Sequence, residues 1–220
     1  MKTIVFLTLV FLVLSCTTDR KGTQGNGNPS VSQRHFSPDA VKLNNKAMDL
    51  MREVNLQSTK PTLAKVEPVI TLLDSAIAMD STYYVPYANK ASVLLSINDL
   101  DGAISCERHV AAIFEDRAEA EFFLLGMMYD AKSDAPQANI LYAKSLRLCQ
   151  NHGSVPENIG NIEFEAVLYR LLNKNDSANY LLSYIKTRFS ADTLKMTPLG
   201  DLTQPFDRRK FVKSYLHLHE

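Results

Sequence analysis

One recurrence constrains this chain more than any other feature. The same set of shapes returns at positions 35 apart and then 40 apart. Tyr87, Phe122 and Ile162 are bulky; Ala91, Gly126 and Ala166 are small; Leu94, Tyr129 and Tyr169 are bulky; Ala103, Ala138 and Ala178 are small. A period of that length belongs to stacked supersecondary units, each too small to bury its apolar face alone. Apolar residues also return at intervals of three and four, as in Leu72, Leu73, Ala76 and Ile77, or Leu124, Leu125 and Met128. That spacing is helical, and no stretch alternates with period two. Ser37 before Pro38 reads as an N-cap and first helical position. Asp116-Arg117-Ala118-Glu119 and Asp134-Ala135-Pro136-Gln137 have capping-box form. The chain is therefore expected to be all-α, built from antiparallel helix pairs joined by short turns.

The unit beginning at Glu119 resembles a tetratricopeptide repeat. Phe122, Leu125-Gly126 and Tyr129 stand at that family's spacing on the first helix, and Ala138, Tyr142 and Ser145 on the second. The preceding unit matches through Tyr87, Lys90-Ala91, Leu94 and Ala103, with Glu107 where the aromatic belongs and Val110 where a small residue is usual. Val69, Leu73 and Ala76 match the second helix of an earlier unit, whose first helix, residues 40–51, is displaced by an insertion near residues 57–61. Ile162, Ala166, Tyr169, Ala178 and Leu182 fit a later unit, after an inserted loop at residues 151–157. The resemblance implies a TPR-like right-handed solenoid over residues 37–188. Residues 189–220 lack the pattern; residues 206–218 read as a final helix that caps the array.

That family works through a concave groove lined by the first helix of each unit. Carried over in register, the partner-binding wall holds Val85, Ala88, Ser92, Phe123, Met127, Asp130, Val167 and Arg170, with Glu163 at its rim. Phe123 and Met127 follow Phe122 and Gly126 by one place, so they are expected to face away from the helix wedge, either exposed as a partner site or covered by a C-terminal helix or the tether. The implied partner is a protein or peptide. One subgroup of the family clamps acidic chaperone termini with Lys and Asn on this wall. This chain lacks that set, and Lys90 falls on the core side, so that ligand is not carried over.

The start of the chain has another character. Met1-Lys2-Thr3 carries one positive charge, and residues 4–14 are almost wholly aliphatic or aromatic. Such a run is shorter than the about 20 residues a spanning helix needs, and suits a secretory signal. Leu12-Val13-Leu14-Ser15-Cys16 resembles a bacterial lipobox: Val13 and Ser15 fit, Leu14 departs from the small residue preferred there. The resemblance implies removal of residues 1–15 and lipid attachment at Cys16, which would anchor the protein to a membrane. Residues 17–35 hold one aliphatic side chain, Val31, so residues 16–36 are expected to form a flexible tether. Thr17 stands where Asp signals inner-membrane retention, which favours the outer membrane, facing the periplasm.

Charge excludes some classes. Lys and Arg number 24 against 24 Asp and Glu, which leaves no electrostatic footprint for nucleic acid. The sequence has no GxSxG, HExxH, phosphate-cradling glycine loop or CxxC motif, so no enzymatic activity, cofactor or metal is expected. Cys106 and His109 sit three apart on a helix but lack an orienting third group. His217 and His219 alternate, which on a helix points them apart. In the repeat register Cys106 and Cys149 are offset by about 12 Å along parallel helices. A disulfide needs Cα atoms within about 7 Å, so none is expected between them. The alternative to an interaction module is a lipoprotein that captures a glycan or small molecule; the absence of Trp counts against it.

Overall fold

Nine helices follow one another among the described residues of the computed structural model, with no strand between them. The described residues are 35–57, 60–114, 118–151, 159–189 and 205–218. The signal segment, Cys16 and nearly all of the tether lie outside them, as do Asp116, Arg117, His219 and residues 152–158. The helices are α1 (Pro38–Gln57), α2 (Leu63–Met79), α3 (Tyr84–Ser96), α4 (Leu100–Phe114), α5 (Glu119–Ala131), α6 (Ala135–Asn151), α7 (Ile159–Leu171), α8 (Asn175–Arg188) and α9 (Arg208–Tyr215). They pack as consecutive pairs, α1 on α2, α3 on α4, α5 on α6 and α7 on α8. Each pair stacks on the next through α2–α3, α4–α5 and α6–α7, and α9 returns to α5. This is an all-α helical array whose contacts run mainly between neighbours.

The turns inside three of the pairs are copies of one another. Asn98, Ser133 and Asn173 each adopt a left-handed backbone, with φ of 61°, 65° and 58°. The following amides of Asp99, Asp134 and Lys174 donate to the carbonyls of Leu94, Tyr129 and Tyr169. The left-handed residues themselves donate to Leu95, Asp130 and Arg170. This paired closure satisfies carbonyls that a helix end would leave without partners, and it reverses the chain in three residues. The recurrence seen in side chains is thus present in the backbone. Asp134 also caps α6, its Oδ1 accepting from the Gln137 amide at 3.1 Å. Ser37 stands at the start of α1, its Oγ 3.5 Å from the Ala40 amide. Helix α5 begins after Ala118 without a side-chain cap.

Small residues set the pair spacing. A Cβ placed on Gly126 would lie 2.6 Å from a ring carbon of Tyr142, so only glycine admits α6 at that distance. Ser145, fully buried on α6, donates through Oγ to the Glu119 carbonyl at 2.6 Å and ties the other end of the pair. Around this crossing lies the largest core, with Ala91, Leu94, Ala103, Phe122, Leu125 and Met128 among its members. A second core joins Ala47, Met51, Val54, Val66, Val69 and Leu73 at the N-terminal pair. A third joins Ile162, Ala166, Leu182 and Ile185 between α7 and α8. Burying a leucine- or isoleucine-sized side chain in such a core stabilises by roughly 2 kcal/mol.

Polar ties align the first pair with the second. Asn89 on α3 donates to Asn44 on α1 at 2.8 Å, and Asn44 is buried. The Asp80 carboxylate accepts from the Ser37 amide at 2.9 Å and from Thr82. Those bonds, led by Ser37, hold its carboxyl below the ordinary carboxylate range.

Candidate partner-binding wall

The expected wall divides into two parts. On α3, Val85 and Ala88 are half-buried and Ser92 is exposed. On α5, Phe123 is 3% exposed and Met127 not at all, so of the two readings the exposed one is overturned and the covered one is seen. Their cover is α9. Tyr215 meets the Phe123 ring edge-on, 5.3 Å between centroids at 90°, and Phe164 of α7 meets it from another side at 5.1 Å. Val212 and Leu216 of the C-terminal segment join the same core as Phe123, Met127, Leu168 and Leu171. The C-terminal helix therefore covers the inner wall at α5.

The seat of α9 has a polar end. Asp207 caps the helix, its Oδ1 accepting from the Lys210 amide at 3.0 Å. Arg208 then reaches into the array. Its Nε donates to Asp130 Oδ2 at 2.5 Å, and its Nη1 donates to Asn139 Oδ1 at 2.9 Å and to the Leu171 carbonyl at 2.8 Å. Its guanidinium lies 5.4 Å from the centre of the Tyr142 ring. Asp130 also accepts from the Tyr142 hydroxyl at 3.2 Å. Burial, and then the Asp130 charge, push the Tyr142 hydroxyl far above the ordinary phenol range, so it remains a donor. Burial alone pushes Tyr215 up to about 12. Three helices contribute to this cradle, through Asp130 of α5, Asn139 and Tyr142 of α6, and the Leu171 carbonyl of α7. Planar donors in a fork match such a set of acceptors, which a lysine would not.

Arg170 is a second correction. It is buried, and its two terminal nitrogens donate to Asn175 Oδ1 at 2.8 Å and Asn179 Oδ1 at 2.7 Å. Those partners place it against α8 of its own pair, so it braces the unit and does not line the wall. Val167 is half-buried and packs between the central core and that of α7–α8; Glu163 is half-buried.

The covering of α5 had a signal in the sequence. Phe122, Phe123, Leu124, Leu125, Met127, Met128 and Tyr129 leave the helix no polar side. A helix apolar all round is buried all round. The spacing of Phe211, Val212, Tyr215 and Leu218 was legible as a helix, but Arg208 carried no mark of its destination 78 residues away.

Elsewhere, Cys106 is buried, and that burial raises its thiol, the opposite of what a nucleophile needs. His109 stacks on Tyr87, 4.8 Å between ring centres. Cys106 and Cys149 are not joined by a disulfide. Glu107, in the place where an aromatic was expected, is buried, and its carboxyl is pushed up to about 8 by that burial and by Glu121. Glu121 itself is pushed up to about 7, chiefly by burial. A polar cleft of about 310 Å³ between α4 and α5 is bounded by Asp101, Arg108, His109, Tyr129 and Lys132. Lys132 pairs with Asp101 there, and Arg108 donates to the Tyr129 hydroxyl. Among the described residues no group of three or more His, Cys, Asp or Glu is placed to hold a metal ion, and no helix is long and apolar enough to cross a membrane. No protein-family model matches the chain, and no curated protein matches it.

Proposed function

We propose that this chain is a lipid-anchored envelope protein whose tetratricopeptide-like array acts as a protein–protein interaction module, with no catalytic chemistry of its own. One observation carries the reading: the inner wall of the array takes an amphipathic helix, α9, through an apolar face and a polar cradle. Docking a helix in a hydrophobic groove is a recurring mode of protein recognition. The repeat spacing around Gly126 supports the likeness to tetratricopeptide units, and the lipobox-like Leu12-Val13-Leu14-Ser15-Cys16 supports the anchor. In this reading Cys16 carries the lipid, residues 16–36 tether the array, and Thr17 favours the outer membrane on its periplasmic side. The stretch of wall on α3, with half-buried Val85 and Ala88 and exposed Ser92, serves as the first contact for a protein or peptide partner.

A photo-crosslinking residue placed at Ser92 in the lipidated protein, within intact envelopes, tests this. A discrete protein adduct is expected from Ser92 and not from Ser105, which is also exposed but sits on α4. Equal or absent adducts at the two positions would sink the reading. Separately, Cys16→Ser should leave an uncut precursor without acyl label; a processed, membrane-bound Ser variant would remove the anchor from the proposal.

A further inference from the structure

The C-terminal segment has the form of a ligand. Arg208, Phe211, Val212, Tyr215 and Leu216 follow at intervals of three and four, so one face carries a cation at the start and an unbroken apolar run behind it. Its seat is complementary in the same order. Asp130 offers a carboxylate whose side chain is 11% exposed, and the Leu171 carbonyl lies beside it. Beyond them lies the apolar surface of Phe123 and Phe164. The fit leaves one defect: Nη2 of Arg208 is buried without a hydrogen-bond partner among the described residues. An orphaned buried donor on a charged group is costly, so the resident segment is held less tightly than a fully satisfied clamp would hold it.

We infer that the α5–α7 wall is a binding seat for a partner helix of this chemistry, an arginine followed at three, four, seven and eight places by aromatic or aliphatic residues. Residues 206–216 hold that seat in cis and give way to the partner. The inference rests on the reading of the array as an interaction module and adds the class of ligand and its competitor. Asp130 selects the arginine, because a buried carboxylate deprived of its cation is penalised. The Phe123–Phe164 surface selects the aromatic that Tyr215 now supplies. Binding in trans is weakened by the fraction of molecules in which the cis helix is seated.

A fluorescein-labelled synthetic peptide of residues 205–218 is the probe, titrated against the purified full chain by fluorescence anisotropy. Arg208→Ala in the protein releases the resident helix and should tighten peptide binding by about tenfold or more. Asp130→Asn added to that variant should abolish the gain, as should Arg208→Ala in the peptide. Tyr215→Ala loosens the resident helix from its far end without touching the cradle, and should give the same gain if the Arg208 variant fails to fold. Equal binding to the wild-type protein and the folded release variant would overturn the inference. So would a wild-type dimer that Arg208→Ala dissolves, since the seat would then belong to a second copy. An envelope adduct at Ser92 without peptide binding at the α5–α7 seat would leave the interaction module standing and remove this inference alone. Peptide binding without an envelope adduct would do the reverse.

Discussion

Ser133 occupies the left-handed position of a turn whose two counterparts carry asparagine. Asparagine visits that region readily, whereas serine is held there against a steric penalty that glycine escapes. Ser133→Gly should therefore raise stability by about 0.5–1 kcal/mol, the relief exceeding the extra chain entropy of glycine. Urea unfolding checks it, and a destabilised variant would mean the serine hydroxyl holds the turn. Glu107 is the other residue at odds with its place. The folded protein keeps its proton to about pH 8, while the unfolded chain releases it near 4.5. Between those values the folded state binds more protons, so stability falls as pH rises; below them both states are protonated and the contribution is whole. Glu121, pushed up to about 7, acts in the same sense. Glu107→Gln should be more stable than the wild type at about pH 8, by on the order of 1 kcal/mol or more, since one pKa unit is about 1.4 kcal/mol. Its melting temperature should also vary less between about pH 5 and pH 8. A wild-type melting temperature that climbs across that interval would show the carboxyl ionised and stabilised in the fold.

At the scale of the helix, α5 decides how much could be read in advance. The small-and-bulky recurrence located the crossing of α5 with α6, and Gly126 against Tyr142 is that crossing. The same register placed Phe123 on the outward side, although its ring also lies 6.3 Å from that of Tyr142 in its own pair. What it lacked was a third surface, and α9 supplies that from a segment outside the repeat. Arg170 departs from that register for a related reason. Its position in α7 is that of Asp130 in α5, yet Asn175 and Asn179 draw its guanidinium onto α8. Repeat register constrains where a backbone position lies; which neighbour a long side chain prefers depends on partners that differ between units. With α9 in place, Phe123→Ala and Phe122→Ala should both destabilise, each by about 3–5 kcal/mol as buried aromatics do. Denaturant unfolding of the two variants checks this. Were Phe123→Ala neutral while Phe122→Ala unfolds the array, α9 would not be seated on α5 in solution.

Across the whole array, stability in such chains is carried by neighbours, each pair resting on the next. The contacts here follow that rule from α1 to α8, and α9 departs from it by returning to α5. The departure joins the C-terminal segment to α5, α6 and α7 through one guanidinium, so the last two pairs share a support that the first two lack. Local opening should report this difference. Amide hydrogen exchange follows the free energy of the smallest opening that frees each bond. Arg208→Ala removes the clamp and leaves a buried carboxylate at Asp130 without its cation, a change of about 3–5 kcal/mol where the site cannot relax. Exchange should therefore quicken in α5 through α9, most at the amides of α9 and the ends of α5 and α7 that face it. In α1 and α2, tied to α3 by Asn44–Asn89 and to the chain entry by Asp80, the rates should stay within about threefold of the wild type. Uniform acceleration from α1 to α9 would mean that the array opens as a single unit, and that α9 supports the first pairs as strongly as the last.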